Sequence, residues 1–529
     1  MIKTLTSKYT HIASSKDSGK DLCSSPLIVI LLHSDHWKAK LMHVTPSALG
    51  ITPRNCGQGP FKALEGARAL LASIDSPLPT TPSTNDRIHA LIYQADALVD
   101  YGREMLHTYP YREVPSCWRE FYTDAGILKA LALGFSAFRG RDEGGDGSGL
   151  EVVAVDAEPL KVAIAVCDNV LVMAGASGER RRDLVFEMID YLETVIENGL
   201  DPKENGVAPM AKRQKISEAA TTATVVDGQV KLGEELVQEP IPKIRFPIPR
   251  IHLPTMEEFQ QHVNVGGVER APGGPIIITG GIDHWPARER WADLDTLCRT
   301  AGPDRLVPIE IGSQYTDEQW TQKLVTMREF IQSYILCQGH SGTDDGYKHD
   351  GVKAKAATAE IGYLAQHDLF AQIPRLRRDI DIPDYCMVEP IDQEGYSPPD
   401  DVLLNAWFGP RGTVSPMHTD PYHNLLAQVV GRKYIRLYAP KETSKLYCYG
   451  NESQDDAEGE REGGDSSSSM LGNTSQVNVE EPDLERHPRF AEAEYMETIL
   501  APGELLYIPF QWWHYIRSLS TSFSVSFWF

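Results

Sequence analysis

Two residues in the C-terminal half of the chain have side-chain types and a spacing suited to metal binding. They are His418 and Asp420, within 415–424 (SPMHTDPYHN). On a β-strand, residues two apart project from the same face, so the imidazole and the carboxylate could reach one ion. Such a pair also occurs by chance among surface residues, and a metal site would need a third ligand from elsewhere in the chain.

His514 is the predicted third ligand. It follows 502–513 (PGELLYIPFQWW), a sequence typical of a turn, a buried strand and a proline-marked bend. Taken alone, a histidine among aromatic residues would be interpreted as part of a core. Together with the upstream pair, it is better interpreted as a ligand. Two histidines and one carboxylate leave three coordination positions open, an arrangement that suits non-haem Fe(II).

Lys433 is a candidate for binding an anion. It opens the run 433–438 (KYIRLY), whose alternation places the lysine on the same face as Ile435 and Leu437. A lysine on an apolar, inward face is costly unless an anion pairs with it. The alternative is a lysine at the strand entrance whose stem lets the ammonium reach water.

The elements that must position these side chains belong to a β-rich region after Pro240. Short apolar or alternating runs bounded by Gly, Pro and Asp predict a sandwich or barrel. The predicted strands are 275–279, 306–311, 402–407, 425–430, 434–438, 504–508 and 522–528. A helix is predicted at 326–336. Residues 339–355 and 451–470 are too polar to bury a core and are predicted to be insertions in this 241–529 domain.

The preceding half of the chain is predicted to be a helical domain, 56–200. Apolar residues recur at three- and four-residue spacing in 62–73, 86–106, 118–134, 159–174 and 183–199. Asn85 is a candidate cap for the second helix, and Gly199 a candidate end for the last. Residues 1–55 are poorly patterned. Residues 201–240 are predicted to be a linker, in which the cluster 212–215 (KRQK) is a candidate nuclear-import signal.

Bulk properties exclude some classes of function. The formal net charge of −23 argues against direct nucleic-acid binding. It could attract a basic partner, but from the charge alone plain solubility is the preferred interpretation. The eight cysteines form no CxxC pair, so we predict neither a disulfide framework nor a structural zinc site. A reducing compartment is expected, and no membrane-spanning segment is predicted.

Longer motifs around these residues resemble those of the JmjC hydroxylases. The matching stretches are 281–285 (GIDHW), 315–320 (YTDEQW), 362–367 (GYLAQH), 382–386 (IPDYC), 405–416 (NAWFGPRGTVSP), 418–421, 431–438 and 502–527. The resemblance covers about residue 240 to the C-terminus and is thin over the helical half, where it is limited mainly to 114–119. It implies an α+β chain: an all-α N-terminal region, then a JmjC double-stranded β-helix (cupin or jelly-roll) domain with flanking helices.

The resemblance also implies roles for individual residues. The iron ligands would be His418, Asp420 and His514. Residues around the 2-oxoglutarate co-substrate would be Lys433, Tyr363, Asn424, Ser415 and Ser524. The substrate pocket would include Glu310 and Trp407, since a carboxylate beside an aromatic wall suits a guanidinium. Tyr422 and His423 depart from the family pattern, in which amide side chains are expected. The odd offset of His423 from His418 and Asp420 predicts that it projects from the opposite face.

The activity implied is that of an Fe(II)- and 2-oxoglutarate-dependent dioxygenase that consumes O₂ and releases succinate and CO₂. One hypothesis is hydroxylation of an arginine in a basic protein. A second uses the same chemistry on a methyl-lysine of a histone tail, which demethylates it. A third is a catalytically inactive binding module, which the intact ligand set and Lys433 argue against. Expected locations are the nucleus, the cytoplasm or both.

Overall fold

A computed structural model contains two compact units, residues 1–212 and 213–529. It describes residues 57–74, 82–139, 154–198, 224–226, 229–231, 241–264, 273–312, 320–336, 360–390, 395–449 and 472–529. Outside these residues lie the segment 1–55, Gly199, the cluster 212–215 and the predicted insertions 339–355 and 451–470. The predicted domain bounds stay a prediction.

The first unit is helical. Its helices are α1 Gln58–Ala72, α2 Pro82–His107, α3 Ser116–Ser136, α4 Ala157–Ala174 and α5 Arg181–Asn198, and the short strands β1 Phe138–Arg139 and β2 Ala154–Val155 pair antiparallel. All five helices contribute to one apolar core. On α2, the buried residues Ile88, Leu91, Ala95 and Leu98 follow the predicted helical spacing. The cap prediction for Asn85 is wrong, because α2 begins three residues earlier at Pro82.

The second unit is a double-stranded β-helix. Its strands are β3 Thr224–Val226, β4 Gln229–Lys231, β5 Arg250–His252, β6 Ile276–Thr279, β7 Leu306–Ile311, β8 Thr321–Thr326, β9 Gly362–His367, β10 Leu403–Gly409, β11 Val414–His418, β12 Asn424–Val430, β13 Lys433–Tyr438, β14 Tyr495–Leu500, β15 Glu504–Ile508, β16 Trp513–Ser518 and β17 Ser522–Trp528. The major sheet has the order β5-β6-β15-β12-β17-β10-β9-β7-β8, and the minor sheet has the order β11-β16-β13-β14. The strands β3 and β4 form a separate antiparallel pair within the predicted linker.

Helical segments flank the sheets of this unit. They are α6 Met256–Asn264, α7 Ala287–Arg290, α8 Leu294–Ala301, α9 Met327–Phe330, α10 Leu369–Gln372 and α11 Pro374–Arg377. The helix predicted at 326–336 is present, but it changes from α9 to a π-helical turn at Ile331–Ile335. The cap of α9 is Thr326, whose side chain accepts a hydrogen bond from the Glu329 N–H.

Apolar side chains divide the β-helix into layers. Between the sheets, Ile277, Leu426 and Leu506 of the major sheet share one cluster with Ile435 and Leu437 of the minor sheet. The outer face of the major sheet packs on the flanking helices. The face between the sheets is therefore the inner face, and side chains projecting from it line the interior of the β-helix.

The described residues also show the state of five cysteines and the lengths of the helices. Cys167, Cys298, Cys386 and Cys448 are free and buried, and Cys117 is disulfide-bonded. Within the described ranges, none of the helices has the length and apolar character needed to cross a membrane.

Candidate active site

The three predicted metal ligands meet in one place. His418 ends β11, His514 lies on β16, and the two are directly opposed in the antiparallel register. Their Nε2 atoms lie 3.7 and 3.5 Å from the two carboxylate oxygens of Asp420. All three ligand atoms lie within 4.8 Å of one another. This spacing suits three ligands on one face of a single ion.

Each histidine is oriented by a backbone carbonyl. The Nδ1 of His418 lies 2.7 Å from the Pro416 oxygen, and the Nδ1 of His514 lies 3.0 Å from the Trp512 oxygen. In each ring Nδ1–H therefore donates to the carbonyl, which leaves the Nε2 lone pair facing Asp420. Burial lowers the pKa of His514 to about 4, with a smaller contribution from His418. His514 is thus neutral at physiological pH, as a ligand must be.

Asp420 reaches the site for a different reason than its spacing suggested. Strand β11 ends at His418, so Asp420 lies in the following loop rather than on the same strand face. The loop is held at its start, where the Thr419 N–H donates to the Asn473 carbonyl at 3.0 Å. The convergence of the pair therefore depends on loop packing, not on strand alternation alone.

His423 is excluded from the metal site. Its Nδ1 accepts hydrogen bonds from the Tyr507 hydroxyl at 2.9 Å and from the Phe510 N–H at 3.2 Å. It is packed among the rings of Tyr507, Phe510, Tyr396 and Phe529, and burial lowers its pKa to about 4. It is a buried core histidine, in agreement with the expectation that it does not face the ligands.

Lys433 and Tyr363 form the polar end of the interior. Lys433 is 1% exposed and lies on the inner face with Ile435 and Leu437, and its ammonium donates to the Tyr363 hydroxyl at 3.2 Å. Among the described residues no carboxylate lies within ion-pair distance of it. Burial lowers the pKa of Lys433 to about 7. A buried cation with one neutral partner is suited to binding an anion that enters the interior.

Two glycines allow this arrangement. Gly431, with φ of 75°, turns the chain from β12 into β13, and a Cβ there would lie 2.0 Å from the Thr521 carbonyl oxygen. A Cβ at Gly409 would lie 2.6 Å from the Tyr363 ring. Side chains at either position would displace the strand that carries Lys433 or the phenol that contacts it.

The other predicted co-substrate residues are found on the same walls. Ser415 of β11 is buried, and its side chain lies near that of Tyr363. Asn424 begins β12, is 5% exposed, and its Oδ1 has no hydrogen-bond partner among the described residues. Ser524 donates to the Gln428 side chain at 2.8 Å. The buried Lys433 ammonium, which has no anionic partner among the described residues, fits one carboxylate of a dicarboxylate that would extend toward the metal ligands.

The predicted substrate residues lie beside Tyr363. Glu310 is opposite Tyr363 in the β7–β9 register, and the Trp407 ring centroid lies 6.0 Å from that of Tyr363. Burial raises the pKa of Glu310, which a weak interaction with the Trp320 indole partly offsets. Trp407 is held by its indole N–H, which donates to Ser526 at 3.0 Å.

Sequence reasoning did not single out Gln428 and Ser526. Gln428 is fully buried and donates to the carbonyls of Val430 and Gly431 at 2.8 and 3.0 Å, bracing the turn before Lys433. Ser526 fixes the Trp407 indole. The available signal for Gln428 was a polar residue inside a largely apolar strand, and for Ser526 it was its place among three serines that alternate with apolar residues along β17, since buried polar residues need partners.

A β-helix that holds two histidines and a carboxylate at one end of its interior defines a metal-dependent cupin, and this ligand set is that of non-haem iron oxygenases. The comparisons agree. The cupin-like domain family matches residues 270–529. Lysine-specific demethylase 8 of Xenopus tropicalis is 37% identical over 459 residues, covering 82% of this chain and 87% of that protein.

Two further relatives extend this result. Jumonji C domain-containing protein 5 of Drosophila melanogaster is 39% identical over 438 residues, covering 82% of this chain and 86% of that protein. Lysine-specific demethylase JMJ30 of Arabidopsis thaliana is 44% identical over 257 residues, covering 49% and 50%. The chain belongs to the JmjC family of 2-oxoglutarate-dependent oxygenases, which generally use Fe(II). A coverage of 82% exceeds residues 241–529, so the similarity continues further into the helical region than the motifs indicated.

The pKa of Lys433 predicts how co-substrate affinity depends on pH. An incoming carboxylate needs the charged ammonium, which the free protein loses as pH rises through about 7. We expect the dissociation constant of 2-oxoglutarate to be flat below this pH and to rise about tenfold per unit above it. Calorimetry on Mn²⁺-loaded protein measures this. Lys433→Arg, charged at every pH, should flatten the profile. A flat profile in the wild type would contradict the prediction.

Proposed function

We propose that this oxygenase uses Fe(II) and 2-oxoglutarate to hydroxylate an arginine side chain of a basic protein. The observation that supports an arginine is Glu310. Its carboxylate is half-buried, burial raises its pKa, and no cation among the described residues is paired with it. A guanidinium would restore the lost charge balance and could stack on Trp407 or Tyr363.

In this proposal each part of the interior has a separate task. His418, Asp420 and His514 would hold the iron, and Lys433 with Tyr363 would bind the distal carboxylate of 2-oxoglutarate. Iron with 2-oxoglutarate and O₂ supplies the oxidising power for C–H hydroxylation, yielding succinate and CO₂. Glu310 and Trp407 would fix the target side chain in reach of that centre, and the apolar walls would exclude water.

A second candidate is demethylation of a methyl-lysine in a histone tail by the same chemistry. Two of the relatives carry the name lysine-specific demethylase. The aromatic pair Tyr363 and Trp407 also offers faces for a methylated ammonium. The carboxylate of Glu310 favours the arginine, because it matches the forked N–H donors of a guanidinium better than a methylated ammonium, which has fewer N–H donors or none.

Mass spectrometry distinguishes the two candidates. Basic peptides with a central arginine or a central methyl-lysine are incubated with the protein, Fe(II), 2-oxoglutarate and O₂, with His418→Ala as the inactive control. Gain of one oxygen on arginine supports the proposal. Loss of a methyl group from lysine supports the demethylase. Turnover of 2-oxoglutarate without change in either peptide would reject both substrate classes.

Glu310→Gln provides a test of the arginine pocket. The amide keeps the shape and removes the charge, so we expect KM for an arginine peptide to rise about 10–100-fold, as for loss of a buried charge-assisted contact. KM for 2-oxoglutarate should stay the same. Glu329→Gln, on an exposed residue paired with Lys323, is the matched control. An unchanged KM for arginine peptides would remove Glu310 from the pocket.

The partner would be a basic polypeptide, with no direct contact to nucleic acid or membrane, and the site of action the nucleus or cytoplasm. The net charge of −23 supports a basic partner. Fractionation of cells that express the tagged chain tests the location, and a predominantly secreted or membrane-bound product would reject it.

A further inference from the structure

Trp528, at the end of β17, carries a donor without an acceptor. The residue is 8% exposed, and its indole N–H has no hydrogen-bond partner among the described residues. Buried indole N–H groups normally find one. The other strand tryptophans near the site do so: Trp407 donates to Ser526 at 3.0 Å and Trp513 donates to Thr443 at 2.9 Å.

The pairing register places the Trp528 side chain on the inner face. Trp528 is directly opposed to Asn424 on one side and to Leu403 on the other. Two residues earlier, Ser526 is opposed to Leu426, which belongs to the apolar cluster between the sheets. Alternate residues of a strand share a face, so Trp528 projects into the same interior as the candidate co-substrate residues.

Trp528 lies at the open end of that interior, on the side of the metal ligands. Its ring centroid is 5.7 Å from that of Tyr422, in the loop that carries Asp420. Its strand neighbour Leu403 is 41% exposed. Toward the closed end of the interior, Ser524 of β17 pairs with Gln428, which braces the turn before Lys433. Four residues of strand, about 13 Å, separate Trp528 from that closed end.

We propose that the Trp528 indole N–H donates a hydrogen bond to a main-chain carbonyl oxygen of the bound peptide, beside the residue that is modified. The inference rests on the proposed function in taking a polypeptide as the substrate. An uncharged donor at the open end matches a peptide carbonyl, which is neutral and present next to any target side chain. The distal carboxylate of the co-substrate is assigned to Lys433 and Tyr363 at the closed end, too far away for this donor.

Trp528→Phe tests the inference, because it keeps a six-membered aromatic ring and removes the five-membered ring that carries the N–H. The full chain is loaded with Mn²⁺ and 2-oxoglutarate, and its affinity for a panel of basic peptides, each with a central arginine or methyl-lysine, is measured by calorimetry. We expect about tenfold weaker binding of the peptides that the wild type binds, the usual effect of one lost hydrogen bond to a ligand. The dissociation constant of 2-oxoglutarate should not change.

Trp513→Phe is the matched control. It removes an indole N–H that has a partner, so it should lower the melting temperature and leave peptide affinity unchanged. Trp528→Phe should lower the melting temperature less, because its N–H has no partner among the described residues, and should weaken peptide binding. Equal peptide affinity of the Trp528→Phe variant and the wild type overturns the inference. Weaker 2-oxoglutarate binding with unchanged peptide binding also overturns it, in favour of a contact to the co-substrate.

The same samples separate this inference from the proposed function. A wild-type protein that binds none of the basic peptides overturns the role given to Trp528. Peptides that bind through Trp528 but gain no oxygen and lose no methyl group under Fe(II) and O₂ reject the proposed activity and still support the inference.

Discussion

Asp420→Ala is expected to abolish 2-oxoglutarate turnover and to remove metal-dependent stabilisation of the protein. Asp420 is the one anionic member of the candidate triad, and its two oxygens lie 3.7 and 3.5 Å from the histidine Nε2 atoms. Without it, a divalent ion would have two neutral ligands. A fall in turnover of at least about a thousandfold is expected, since the chemistry depends on the metal.

The measurement combines turnover with thermal melts at increasing Mn²⁺. For the wild type, metal at a hundred times its dissociation constant should add about 2.7 kcal/mol to the free energy of unfolding. The variant should show no such shift and should melt like the metal-free wild type. Asp400→Ala, in the exposed segment before β10, is the control and should behave as wild type. A retained metal-dependent shift in Asp420→Ala would show that the ion binds elsewhere.

Lys433→Met is expected to abolish 2-oxoglutarate binding while making the ligand-free protein more stable. The ammonium is fully buried with one neutral partner, so folding removes its hydration without supplying an anion. A methionine of similar length fills the space without that cost. We expect a gain of roughly 1–4 kcal/mol in the free energy of unfolding at neutral pH, the range found when buried charges are replaced by apolar groups.

The stability gain has a defined pH dependence. The pKa of Lys433 is lowered to about 7 in the folded protein and is 10.5 in the unfolded chain. Between these values the unfolded chain binds more protons, so wild-type stability from this group rises with pH. The advantage of Lys433→Met is therefore largest at pH 7 and below, and disappears as pH approaches 10.5.

Urea unfolding of metal-free protein across this range, with calorimetric titration of 2-oxoglutarate, tests both parts. Lys441→Met is the control, because Lys441 is 67% exposed and pairs with Glu494 on the surface. It should leave both stability and co-substrate binding nearly unchanged. Loss of stability in Lys433→Met would mean that the ammonium has a stabilising partner in the ligand-free protein.

The amino-acid sequence determined those elements whose signals are local. The strands predicted at 306–311, 504–508 and 522–528 match β7, β15 and β17 residue for residue. Their runs are apolar or alternating, and turn-forming residues lie close by, such as Gly312 after β7 and Gly503 and Pro509 around β15. The helices of the first unit were predicted to within a few residues because their apolar spacing repeats over several turns.

Strands without a local signal were not predicted. Strand β11 contains Pro416, which argues against a strand, and β16 mixes aromatic and charged residues without clear alternation. Strand β8 has four exposed residues in succession. These segments become strands because neighbouring strands supply hydrogen-bond partners, which is a property of the sheet and not of the segment.

The sequence thus indicated which residues could bind the metal and that Lys433 projects inward. It did not indicate which residues each of these side chains contacts. Tyr363 meets Lys433, 70 positions away, only because β9 and β13 belong to opposite sheets of one β-helix. Glu310 lies beside Tyr363 through strand register, and Asp420 meets the histidines through a loop. Alternation fixes which face a side chain occupies. Only long-range strand pairing decides which residues it faces. That pairing leaves Lys433 without an anionic partner, and Asn424 Oδ1 and Trp528 Nε1 without hydrogen-bond partners, among the described residues.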